Sequence, residues 1–167
     1  MAGALIVTAE LGAEDFGWLN DLRRHHYPPE RNQLPAHLTM FHVLPPSAEQ
    51  EVRQLLAGLV ARAAPRAFIA GVMDLGGGAA FRIASDELDD IRAEIADRLT
   101  GLLTAQDRAG WSAHVTIQNK VPPREAKTLI HALGSQFDMR PIRIAGLGLH
   151  RYLGGPWETL RSYSFRG

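Results

Sequence analysis

The sequence predicts an α+β fold: two pseudo-symmetric lobes, each an antiparallel sheet with outer helices, around a central cleft. Three observations predict it. Strand-like and helix-like segments follow one another in an order that the chain runs through twice. "AHLTMFHVLPP" (Ala36–Pro46) aligns without a gap on "AHVTIQNKVPP" (Ala113–Pro123), and "FIAGV" from Phe68 matches "RIAGL" from Arg143 at nearly the same offset. Finally, "GGG" at Gly76–Gly78 and "GGP" at Gly154–Pro156 fall between corresponding strand pairs, where hairpins need such residues. Residues 1–167 then form a single bilobal domain made by internal duplication, with one His-x-Thr strand in each lobe.

Each element has its own reason. "ALIVTAE" (Ala4–Glu10) is apolar and β-branched, the mark of a buried strand. "GAEDFGWLNDLRRHHY" carries acids early and bases late, which suits a helix dipole. Prolines hold Pro28–Pro35 open as a loop. "HLTMFHVL" is a strand closed by Pro45–Pro46. A helix follows from Ser47, with Ser47 as cap and Gln50 completing a capping box. "AFIAGVMDL" and "AAFRIA" make the first hairpin. "SDELDDIRAEIADRLTGLL" is a helix capped by Ser85 or Asp86, with Ile91, Ile95, Leu99 and Leu102 on one stripe. "HVTIQNKV" is the second His-x-Thr strand, again closed by two prolines. "REAKTLIHALGSQ" is a helix, and "RPIRIAGLGLHRYL" with "WETLRSYSF" forms the last hairpin.

Composition narrows the function. Lys+Arg and Asp+Glu both number 18, so no net field draws the protein to nucleic acid or a membrane. The absence of cysteine excludes disulfides, thiolate metal sites and a Cys nucleophile. "MAGALIVTAE" lacks the basic start and long apolar run of a signal peptide, and no run reaches membrane-spanning length. A soluble cytoplasmic protein is expected. No cation run exists to support a long RNA footprint, so a small nucleotide or short RNA end is the expected partner. No protein partner is implied, and a monomer is expected.

In a strand, alternate side chains share a face. His37, Thr39 and Phe41 therefore face away from Leu38 and Met40, and His114, Thr116 and Gln118 away from Val115 and Ile117. If the two lobes pack about a pseudo-twofold axis, the His-Thr faces meet in one cleft. Two imidazoles suit a paired base and acid near neutral pH, and threonine hydroxyls suit phosphoryl oxygens. No His, Asp and Glu spacing of a hydrolytic metal site is present, so chemistry without metal or cofactor is expected. Phe41 is a candidate to stack on a base, or else covers the cleft floor. His42 has the opposite parity and reads as structural. Trp157 reads as core or as a cleft-rim aromatic. Gly76–Gly78 is no phosphate loop, since no Lys-Ser/Thr follows it.

"HLTM" and "HVTI" resemble the paired signature of the two-histidine (2H) phosphoesterase superfamily, which includes the bacterial 2'-5' RNA ligase / RNA 2',3'-cyclic phosphodiesterase proteins. The resemblance implies a bilobal α+β fold. It implies metal-independent cleavage of a 2',3'-cyclic or 2',5'-linked phosphodiester. His37 and His114 would be the acid/base pair, with Thr39 and Thr116 on the phosphoryl oxygens. The second His would activate water and the first protonate the leaving oxygen. "LHRYLGGPWETL" resembles the family's last hairpin, which makes Arg151 and Tyr152 candidates for substrate contact; a solvated strand-end Arg is the other reading. Two other functions stay open. One is a non-catalytic module that holds a nucleotide or RNA end. The other is 2'-5' RNA ligation, the reverse reaction.

Overall fold

The computed structural model describes residues 3–166. Seven strands, all paired antiparallel, are hydrogen-bonded through one long strand. They are β1 (Leu5–Leu11), β2 (Leu38–Leu44), β3 (Arg66–Asp74), β4 (Ala79–Ala84), β5 (His114–Gln118), β6 (Arg140–Tyr152) and β7 (Trp157–Ser164). Strand β6 belongs to both halves of the molecule. Its Arg140–Arg143 stretch pairs with β3, while the remainder pairs with β1 on one side and β7 on the other. One half-sheet is thus β2-β1-β6-β7 and the other β5-β4-β3-β6. Each places its His-x-Thr strand, β2 or β5, at an end of the strand order.

Helices α1 (Ala13–His26), α2 (Glu49–Leu59), α3 (Asp86–Arg98), α4 (Ala105–Arg108) and α5 (Pro123–Ser135) cover the sheets. The expected charge order of α1 is present, with Glu14 and Asp15 in its first turn and Arg23 to His26 in its last. The Ser85 hydroxyl caps α3 by accepting from the Leu88 amide at 3.1 Å. The expected capping box at Ser47 does not form. Pro46–Ala48 winds as a 3-10 turn, and α2 starts only at Glu49, with Ala48 at the cap. Val52, Leu56 and Leu59 of α2 join Leu5, Val7, Leu147 and Leu149 in one continuous core with Ile83, Val115 and Ile117 of the other half. Helix packing crosses between the halves: α1 lies on β5, and α4 lies on β2.

A terminal strand exposes unpaired backbone groups. On β2 these are met by side chains from the other half. The Trp111 indole donates to the Thr39 carbonyl at 3.1 Å and Arg92 Nε to the Met40 carbonyl at 3.3 Å. The buried Asp107 carboxylate accepts from the His42 and Val43 amides at 2.9 and 3.0 Å, and its Oδ1 lies 3.1 Å from His42 Nδ1. On β5 the matching group comes from α1: buried Arg23 donates from Nη1 to the Thr116 carbonyl at 3.0 Å. The carbonyl of each motif threonine is therefore tied to the opposite half, which fixes β2 and β5 relative to each other.

Candidate active site

His37 sits at the mouth of β2 and His114 at the first residue of β5. Their rings are oriented the same way. His37 Nδ1 lies 2.8 Å from the Pro35 carbonyl, and His114 Nδ1 lies 2.8 Å from the Ser112 carbonyl. A carbonyl oxygen can only accept, so each Nδ1 carries a proton, and among the described residues Nε2 of each ring has no hydrogen-bond partner. The two strands touch. His37 is held far below the ordinary histidine value, at about 4, chiefly because burial disfavours the charged ring. The charges of Arg23, His150 and His114 depress it further, and the Pro35 carbonyl opposes the shift.

Thr39 and Thr116 are half-buried and pair across the sheet with Thr8 and Ala80. No bulge intervenes between either His and its Thr, so each threonine keeps the face of its histidine. The next alternation fails. Val7 pairs with Phe41 while Thr8 pairs with Thr39, so Met40 is an extra residue in β2. Ile117 is the extra residue at the same place in β5, since Ala79 pairs with Gln118 and Ala80 with Thr116. The expectation that Phe41 shares the His37 face is therefore corrected. Phe41 is fully buried, with the Arg92 guanidinium 4.3 Å from its ring centre, and offers nothing to a base. Gln118 is likewise buried, with its Oε1 unpartnered among the described residues.

Arg151 is also corrected. It pairs with Leu5, on the face opposite His150, and its guanidinium is held by Glu49 of α2 at 2.7 Å. Tyr152 lies on the His150 face at the strand's end, paired with Trp157, outside the pocket wall. His150, not Arg151, lines the pocket beside His37. It is buried; its Nε2 is 2.8 Å from Thr8 Oγ1 and its Nδ1 3.1 Å from Thr159 Oγ1, and burial lowers its pKa. The Trp157 ring bridges it to the motif, 5.4 Å from the His150 ring and 4.8 Å, edge-on, from the His37 ring. The signal was present in "GLGLH": Leu147 and Leu149 point to the core, so Gly146, Gly148 and His150 point the other way. A Cβ on Gly148 would fall 2.7 Å from both His150 Nε2 and Thr8 Oγ1, so only glycine lets these groups converge.

These side chains border a pocket of about 400 Å³ between β1, the β6–β7 pair and the Leu34–His37 segment. His37 forms part of its wall; His114 does not. Across the second half-sheet, Arg82 pairs with His114 and lies over Gly71, with Nη2 donating to the Ala70 carbonyl at 3.1 Å. Among the described residues no three His, Asp or Glu side chains gather as a metal-binding group. Nor is any helix there long and apolar enough to cross a membrane.

The family model of the 2'-5' RNA ligase superfamily matches residues 11–156, a span that contains both histidine strands, most of the pocket wall and the Gly154–Pro156 turn of the last hairpin. The chain belongs to this superfamily. It is thus a protein of the phosphoesterase and 2'-5' RNA ligase type, as "HLTM" and "HVTI" led one to expect. Solved structures share the fold at low identity. TT0787 of Thermus thermophilus is 17% identical with a TM-score of 0.66, over 98% of each chain. E. coli LigT in complex with 3'-AMP is 13% identical with a TM-score of 0.55, over 100% of each chain. A protein described as a phosphoesterase is 16% identical with a TM-score of 0.54, over 99% of each. No curated protein matches the chain in sequence.

Proposed function

We propose that this protein hydrolyses 2',3'-cyclic phosphate ends of nucleotides or short RNA, or 2',5' linkages, with His37 and His114 as its acid/base pair and no metal. One observation carries the reading. Two histidines on touching strands are locked by the same 2.8 Å Nδ1 hydrogen bond, so both expose Nε2. We take the two strands as copies made by duplication within a single bilobal domain. Thr39 and Thr116 bind the phosphoryl oxygens, and the protein acts as a monomer. LigT, a relative in fold, has been crystallised with 3'-AMP, with ATP, with NADP+ and with phosphate, which supports a nucleotide-sized ligand.

The strained ring needs one activated water and one protonated leaving oxygen. His114 takes a proton from water, the hydroxyl attacks phosphorus, the bond to one ribose oxygen breaks, and His37 donates its proton to that oxygen. His37 is neutral in the free protein, so the arriving phosphodiester anion must draw the proton onto it. Binding is therefore accompanied by proton uptake at pH values above about 4, where the free ring has lost its proton. Calorimetry of nucleotide binding in buffers of different ionisation enthalpy reads this directly. With a 5'-hydroxyl in place of water, His114 takes the hydroxyl proton, the new P–O bond forms as the bond to one ribose oxygen breaks, and His37 protonates that oxygen, so ligation of a 2',3'-cyclic end needs no further group. Turnover of a panel of nucleoside 2',3'-cyclic monophosphates and a cyclic-ended RNA, undiminished by EDTA, is the test. Tight binding without turnover of any of them would favour a non-catalytic nucleotide-binding module.

A further inference from the structure

The pocket beside His37 holds a carboxylate, which is out of place wherever a second phosphate is to bind. Ala9 pairs with Leu38 and Thr8 with Thr39; the same register carried one step further sets Glu10 across from His37. Glu10 is half-buried in the pocket wall, beside Leu11, Phe16 and Leu34. Its Oε2 accepts from Ser162 Oγ at 2.7 Å, and among the described residues Oε1 has no partner. Burial raises its pKa, as expected of a carboxylate short of partners. Among the described residues no lysine or arginine lines this pocket, and Glu10 is its one acid. An anionic group is repelled there, and a neutral one is welcome.

The apolar walls and the volume of about 400 Å³ suit a flat heteroaromatic ring. A desolvated carboxylate needs N–H donors, best two side by side. Among the four RNA bases only guanine offers that edge, N1–H beside the N2 amino group. Adenine and cytosine set a single amino group beside a ring acceptor, and uracil sets one N–H between two carbonyls. His150 cannot read the base instead, because both its ring nitrogens are engaged by threonine hydroxyls.

We infer that this pocket takes the base of the nucleotide whose phosphate lies at His37, and that Glu10 makes it select guanine. The inference rests on the proposed site at His37, and its test is separable from that reading. The kcat/KM values of the four nucleoside 2',3'-cyclic monophosphates are compared for the native protein and Glu10→Gln. Guanosine should be favoured on the order of ten- to a hundredfold, the worth of a charge-assisted hydrogen-bond pair. In Glu10→Gln the guanosine-to-adenosine ratio should fall towards one; a ratio is unaffected by the fraction of protein folded. Equal turnover of all four bases, or a preference that survives Glu10→Gln, would overturn the inference while leaving the proposed hydrolysis intact. The same ratio is read from the dissociation constants of guanosine and adenosine 3'-monophosphates. Absence of turnover would then count against hydrolysis alone, and the binding ratio would still decide the role of Glu10.

Discussion

β2 and β5 repeat one design and differ in what surrounds it. In both, a histidine is pinned through Nδ1, a threonine follows on the same face, and a bulge three residues after the histidine turns the next side chain inward. In both, the threonine carbonyl is held from the opposite half. Their surroundings diverge. His37 is packed against Trp157 and lines a pocket together with Glu10, whereas His114 pairs with Arg82. The shared features are those needed to aim two imidazoles. The unlike features put a carboxylate beside the pocket at His37 and a guanidinium on the strand paired with His114.

The strongest way to break this comparison is to remove either imidazole. His37→Ala and His114→Ala should each cost roughly a hundred- to ten-thousand-fold in kcat for cyclic-phosphate hydrolysis. The double variant should be little worse, because the pair acts as a unit. Additive losses would mean two independent sites.

The supports of the two strands should differ next. Asp107 is 1% exposed and satisfies three donors of β2 with one carboxylate. Asp107→Ala strands the His42 and Val43 amides and should destabilise the fold by about 2–4 kcal/mol in urea unfolding. A loss below about 0.5 kcal/mol would show that β2 does not need this clamp.

The smallest effect is on pH dependence. The low-pH limb of kcat/KM, which reports the free protein, should lie near the His37 value of about 4 rather than near the ordinary 6.5. Folding carries the same sign. Between about 4 and 6.5 the unfolded His37 binds a proton that the folded one does not, so stability falls as pH drops through that window. His37→Asn should flatten that part of the stability curve, measured by denaturant titration at several pH values.

Strand parity read from the sequence agrees with the structure for Thr39 on β2 and for His114 and Thr116 on β5, while His37, expected as the first strand residue, stands one residue before β2. It failed at Phe41 and Gln118, where the bulges at Met40 and Ile117 reset the alternation. A bulge is set by the partner strand, which lies far away in sequence. The alternation of "GLGLH" sets His150 on the face opposite Leu147 and Leu149, one residue before Arg151. Asp107, in a short helix capped by Thr104, and Arg23 had no local signal. Their importance comes from backbone groups of strands 65 and 93 positions distant. Glu10 and Arg82 likewise acquire meaning only from the pairing of β1 with β2 and of β4 with β5.

The central claim, that β2 and β5 build one anion site, can be read from the imidazole resonances of the native protein during titration with inorganic phosphate. The account predicts that the His37 and His114 signals move together, with one dissociation constant, and that bound phosphate shifts the His37 titration up from about 4. Movement of only one of the two, or of each with its own dissociation constant, would contradict it.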